Sequence, residues 1–214
     1  AVVRTSEELR WLLMLVGFLV ADDSDGELPL IPDVVNEASF RSQASPQTSV
    51  DPAVDIPQTL LTVLGTVKTT WQQRLAKLAT LGPSAAANAP TLVLPHDPAL
   101  VWLAHRWAAT YLFCNPKDYG PRPYAPLRTQ LSPALLQACG PKSQQAHRVL
   151  EAIVSFLSTA CCVAVPVAPS MRNLNTLLFE RSVLALRGLL DRPATRRLVQ
   201  RNKCAAWKQI VVFN

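Results

Sequence analysis

At 214 residues, with 49% apolar and 17% charged side chains, the chain can bury a sizeable core, and global disorder is disfavoured. Seven glycines against 18 prolines argue against a turn-rich sheet fold and for helices ended by proline-bearing loops. The formal charge of +6 divides unevenly: residues 1–60 carry 3 basic and 10 acidic side chains, whereas residues 61–214 carry 18 and 5.

The first element expected is a helix over 5–20. Thr5 or Ser6 can cap it, and Glu8 stands three residues after Thr5 as in a capping box. Leu9, Trp11, Leu12, Leu13, Met14, Leu15, Val16, Phe18, Leu19 and Val20 surround its axis, so the helix is expected to be covered on most sides. An acidic run, Asp22, Asp23, Asp25 and Glu27, follows at once.

A short helix over 33–40 comes next, then a proline-bearing loop over 41–57. A long helix over 58–81 follows, with Leu60, Leu64, Val67, Trp71, Leu75 and Leu78 on one face. After a loop over 82–95, Asp97 and Pro98 open a helix over 98–113. A third loop over 114–131 leads to a short helix over 132–139, closed by Gly140. The chain continues with helices over 141–163 and 170–190 and short ones over 193–201 and 203–212. The class is therefore all-α. Long amphipathic helices every ~40–50 residues fit a HEAT-like helical-repeat solenoid, with a globular bundle as the competing architecture.

Chemistry-bearing motifs are scarce. Placing Gly26 at position 6 of a calcium loop puts Ala21 at position 1 and Pro32 at position 12, and neither offers a side-chain oxygen. His96, His105 and His147 have no cysteine at zinc-ligand spacing, and no glycine-rich phosphate loop or nucleophile motif occurs. His105 reads as a surface histidine. No catalytic, cofactor or metal residues are expected, so the chain reads as a non-enzyme. The five cysteines read as reduced, buried thiols of an intracellular protein. The apolar stretch 11–21 is too short to span a bilayer, and 152–171 is broken by Pro166 and Pro169. Neither membrane insertion nor nucleic-acid binding is expected, because the basic residues lack an interleaved aromatic or glycine-rich platform. The candidate partner-binding residues are the acidic run Asp22, Asp23, Asp25 and Glu27 and the basic residues Arg192, Arg196, Arg197 and Arg201. Each group has a bland alternative, a solvated surface for the first and inter-helix pairing for the second.

Three blocks carry a family resemblance. The first joins Glu8-Leu9, Trp11-Leu12, Gly17, Asp22-Asp23, Gly26-Glu27 and Pro29-Leu30-Ile31-Pro32. The second is Val101-Trp102-Leu103 with Arg106-Trp107-Ala108 and Thr110-Tyr111-Leu112. The third runs from Leu189-Leu190 through Arg197 to Cys204 and Trp207. In order and spacing they resemble a segment of exportin-type nuclear transport receptors of the importin-β (karyopherin) superfamily. The loops over 41–57, 82–95 and 114–131 depart from that pattern. Such receptors are several times longer, so the chain, which starts without Met, is expected to be an interior fragment. The resemblance implies a HEAT-repeat superhelix that binds protein cargo together with Ran-GTP. It implies cargo of the initiation factor 5A or Smad type, contact with nucleoporins, and shuttling between nucleus and cytoplasm. GTP hydrolysis would belong to Ran. A helical-repeat scaffold or adaptor independent of Ran is the alternative.

Overall fold

A computed structural model of the chain describes residues 2–21, 30–45, 50–80, 93–94, 96–112, 130–139, 143–163, 172–191 and 196. All regular structure among the described residues is helical, in keeping with the all-α class. The helices are α1 (Val2–Val20), α2 (Asp33–Ala44), α3 (Pro52–Ala79) and α4 (Asp97–Trp107), the last continued by a π-helical turn (Ala108–Leu112). Then come α5 (Pro133–Ala138), α6 (Gln144–Val163) and α7 (Arg172–Leu190). The helices expected over 193–201 and 203–212 lie outside the described residues, except for helical Arg196.

Several helix ends differ from expectation for local reasons. α1 begins at Val2, upstream of Thr5 and Ser6, so these residues are not its cap. Glu8 and Glu7 pair instead along the helix with Arg4 and Arg10, each at 3.1 Å. The loop expected over 41–57 is shortened from both sides, because α2 runs to Ala44 and α3 opens at Pro52. Asp51 caps α3, its Oδ1 accepting from Ala53 N at 2.9 Å, and Pro52 sits in the first turn, where its missing N–H costs no helical bond. Ser132 caps α5 in the same manner, accepting from Leu135 N at 3.1 Å. The loops expected over 82–95 and 114–131 lie mostly outside the described residues.

Among the described helices packing follows a rule of three, α4 on α1, α5 more lightly on α2, α6 on α3 and α7 on α4, with α6 lying on α7 as extensively as α4 does. Three rows result, α1–α4–α7, α3–α6 and α2–α5, tied sideways by α6 against α7 and α5 against α3 and α6. Side-chain bonds between row partners join residues 85 to 96 positions apart. In the α3–α6 row, Lys68 Nζ donates to Ser155 Oγ at 2.6 Å and Trp71 stacks on Phe156 at 5.1 Å. In the α2–α5 row, the Oγ atoms of Ser39 and Ser132 share a hydrogen at 2.6 Å, and Asn36 Oδ1 accepts from Ser132 N at 2.8 Å. Consecutive long helices thus belong to different rows, and the ~40–50-residue interval legible in the sequence is about half of the stacking step. The core lies where the rows meet, around Leu100, Leu103, Ile153, Phe156, Leu157, Leu186 and Leu189.

Two glycines set how closely the first row packs. A Cβ on Gly17 of α1 would run into the Trp102 ring of α4, and one on Gly188 of α7 would lie 2.7 Å from His105 Nε2. α4 is therefore held between two glycines, with His105 half-buried on Gly188 rather than at the surface. Gly65 of α3 faces open space. Gly65→Ala should raise stability by about 0.5–1 kcal/mol through helix propensity. Gly17→Ala should lower it by roughly 1–2 kcal/mol, because overpacking a rigid indole outweighs the same gain. Urea unfolding midpoints check both, and equal signs would contradict the packing described.

Candidate functional site

Helix α1 ends with free backbone carbonyls, and its last turn has no basic residue of its own to meet them. α4 supplies the partners. Arg106 Nε donates to Gly17 O at 3.0 Å and to Ala21 O at 3.1 Å, and its Nη2 donates to Ala21 O at 2.9 Å. The guanidinium lies 4.7 Å from the Phe18 ring centre and 5.0 Å from that of Trp102, whose rings are themselves in contact at 5.2 Å. A planar, weakly hydrated cation suits this slot between two π faces. Tyr111, in the π-helical turn and stacked on Trp107, donates its hydroxyl to Val20 O at 2.7 Å. The clamp fixes the exit of the chain at Ala21, which is fully buried. The acidic run starts at the next residue.

The candidate residues Asp22, Asp23, Asp25 and Glu27 of that run lie outside the described residues, as do Arg192, Arg197 and Arg201. Arg196 is described. It is exposed, and its Nε donates to Leu190 O at 2.9 Å, closing α7 much as Arg106 closes α1. That caps the preceding helix rather than pairing separate helices. Arg106 and Tyr111 belong to the second resembling block, but nothing in their spacing announces that they reach residues 85 and 91 positions away.

A buried polar centre joins α3 to the start of α4. Asp97 Oδ2 accepts from Trp71 Nε1 at 3.1 Å and from Leu94 N at 2.9 Å. His96 Nε2 stands 3.4 Å from Asp97 Oδ1, which has no hydrogen-bond donor. Burial pushes the Asp97 carboxyl above its ordinary range, against the opposing pull of the Leu94 amide, His96, the Trp71 N–H and Arg74. No nucleophile is among its hydrogen-bond partners, and its geometry is that of a fastening between helices.

The outer face of α1 differs most from expectation. α4 covers one side only, leaving Leu9, Trp11, Leu12, Leu15, Val16, Phe18 and Leu19 exposed. Cys139 and Cys161 are buried. No group of acidic, histidine or cysteine side chains among the described residues could hold a metal ion, and no described helix is long and apolar enough to cross a membrane. No protein-family model matches the chain.

Proposed function

We propose that the chain is a segment of an exportin-type nuclear transport receptor, a HEAT-like solenoid that binds protein cargo together with Ran-GTP. The observation that carries the reading is the rule-of-three packing. Successive sets of helices laid on one another in one order are how helical arrays build long binding surfaces. The three resembling sequence blocks support it further, and two of them meet in space: Gly17 of the first is bonded to Arg106 of the second. The step of 85 or more residues is about twice a HEAT repeat, with the short helices α2 and α5 adding a third member to each set. In this reading, cargo of the initiation factor 5A or Smad type and nucleoporins are the further partners, and the protein moves between nucleus and cytoplasm.

The intact parent protein, immobilised, tests the reading directly. Incubated with Ran locked in its GTP or GDP form, with and without initiation factor 5A, it should retain the GTP form selectively. Equal recovery of both forms is what a Ran-independent scaffold or adaptor gives, and it would reject the transport reading. The acidic run provides a second measurement. Replacing Asp22, Asp23, Asp25 and Glu27 by Ser removes a steering field for a basic partner and should weaken the ternary complex about tenfold at physiological salt. An unchanged dissociation constant removes the run from the interface.

A further inference from the structure

We infer that α2 is a releasable strap, held by a polar clasp to the segment 130–132 ahead of α5, and that it undocks while the α3–α6 and α4–α7 pairs stay packed. The clasp is built from one face of α2. Asn36 Nδ2 donates to Gln130 O at 3.0 Å, and Asn36 Oδ1 accepts from Ser132 N at 2.8 Å. One amide side chain thus holds a main-chain carbonyl and a main-chain N–H two residues apart. About one turn further along α2, Ser39 Oγ meets Ser132 Oγ at 2.6 Å. Gln43 Nε2 in turn reaches Ser39 Oγ at 3.4 Å and Asp51 Oδ2 at 3.3 Å. Asn36, Ser39 and Ser132 are buried, as is Leu131 between the two clasped main-chain groups.

What α2 buries separates it from the core helices. Of its buried side chains, Val35 alone is apolar, beside Asn36, Ser39 and Ser42. Ile31, just ahead of the helix, is a second apolar anchor. α6, by contrast, buries Val149, Leu150, Ile153, Val154, Phe156 and Leu157. A clasp bond broken on release is replaced by one to water, so its net contribution is small, whereas each large apolar side chain drawn from a core loses its whole burial. α2 therefore comes away at less cost than α6 or α4. Once undocked, a 12-residue helix is too short to hold itself together in water, so release and unwinding are one event. The open form frees the Gln130 carbonyl and the Ser132 N–H, which Asn36 holds when α2 is docked.

Hydrogen exchange of the full chain, followed segment by segment below the denaturant concentration of global unfolding, tests the inference. Amides in the second half of α2 should share one opening and exchange about 100-fold faster, relative to their unfolded rates, than those of α6. Asn36→Ala removes both bonds to the 130–132 segment and should speed α2 roughly tenfold more, while α4 and α6 keep their rates. Asn36→Asp keeps the acceptor for Ser132 N and loses the donor to Gln130 O, so its rate should fall between the two. Lys68→Met, which deletes the bond to Ser155 in the α3–α6 row, is the control and should leave α2 unchanged. Exchange of α2 at the rate and denaturant dependence of α6 overturns the inference. So does an Asn36→Ala variant in which α2 and α6 speed up equally. Loss of helical circular dichroism throughout that variant overturns it too, because a strap is dispensable to the core. The experiment reads α2 alone and is independent of the transport reading.

Discussion

Trp71→Ala is expected to lower the unfolding free energy by about 4–5 kcal/mol, the upper end for deletion of a buried aromatic. Three losses coincide. The indole stacks on Phe156 and so carries the contact between α3 and α6. Its removal opens a void in the core that neighbouring rings cannot collapse to fill. It also deprives Asp97, itself buried, of one of its two hydrogen-bond donors. Trp71→Phe separates these effects, since it keeps a stacked ring and deletes the N–H, and it should cost about 1–2 kcal/mol. Asp97→Asn keeps an oxygen that can accept from both Trp71 and Leu94. Burial raises the Asp97 carboxyl in the folded chain, so its favourable contribution is fully present below the unfolded value of 3.8 and is lost as pH rises through the higher folded value. Asparagine has no such loss. The stability of Asp97→Asn relative to the unsubstituted chain should therefore increase from pH 4 to pH 7. Urea titrations across that range check the sign, and a relative decrease would mean that hydrogen bonds and nearby cations, not burial, govern the carboxyl.

Arg106→Ala is expected to cost about 3 kcal/mol, summing charge-assisted bonds to the Gly17 and Ala21 carbonyls with two cation–π contacts. The damage should be local before it is global. Amides in the last two turns of α1 should exchange faster at denaturant concentrations where α6 remains protected. Arg106→Lys keeps the charge but neither the planar stack nor the fork that reaches two carbonyls, so it should recover less than half of the loss. Uniformly faster exchange in all helices, or full rescue by lysine, would show that Arg106 contributes charge alone.

Much of the helical pattern was legible because its cause is local. A 3.6-residue period in Leu60, Leu64, Trp71 or in Leu100, Leu103, Ala104, Trp107 requires only that one face be buried, and these residues are. Starts were less legible where two signals competed. Asp51-Pro52 has the form of Asp97-Pro98, but Pro57 five residues later argued for a later start, and α3 instead carries Pro57 inside it. At Thr5 a sound capping sequence lies within a helix that begins earlier. The π-helical turn at Ala108–Leu112 was not legible, since one extra residue per turn leaves no trace in composition. The α1–α4 clamp and the open side of α1 were hidden for a related reason. A sequence shows that a helix is apolar, but its covering partners are fixed by contacts across 85 or more positions. Of the candidate binding residues, only Arg196 has a described position, as a cap on α7.

The rule-of-three packing also governs when the chain can become ordered. Helical proteins usually fold fast because their contacts are near in sequence, but here the α1–α4, α3–α6 and α2–α5 contacts close across 85 to 96 residues. Folding rates closer to those of mixed or β proteins of this size follow from that separation. During synthesis, Ala21 leaves the ribosome 85 residues before Arg106. At roughly 5–20 residues per second, the end of α1 must wait about 4–17 s for the side chain that closes it. Over that interval the apolar helix lacks its partner, and a chaperone that holds nascent apolar segments would find its face open.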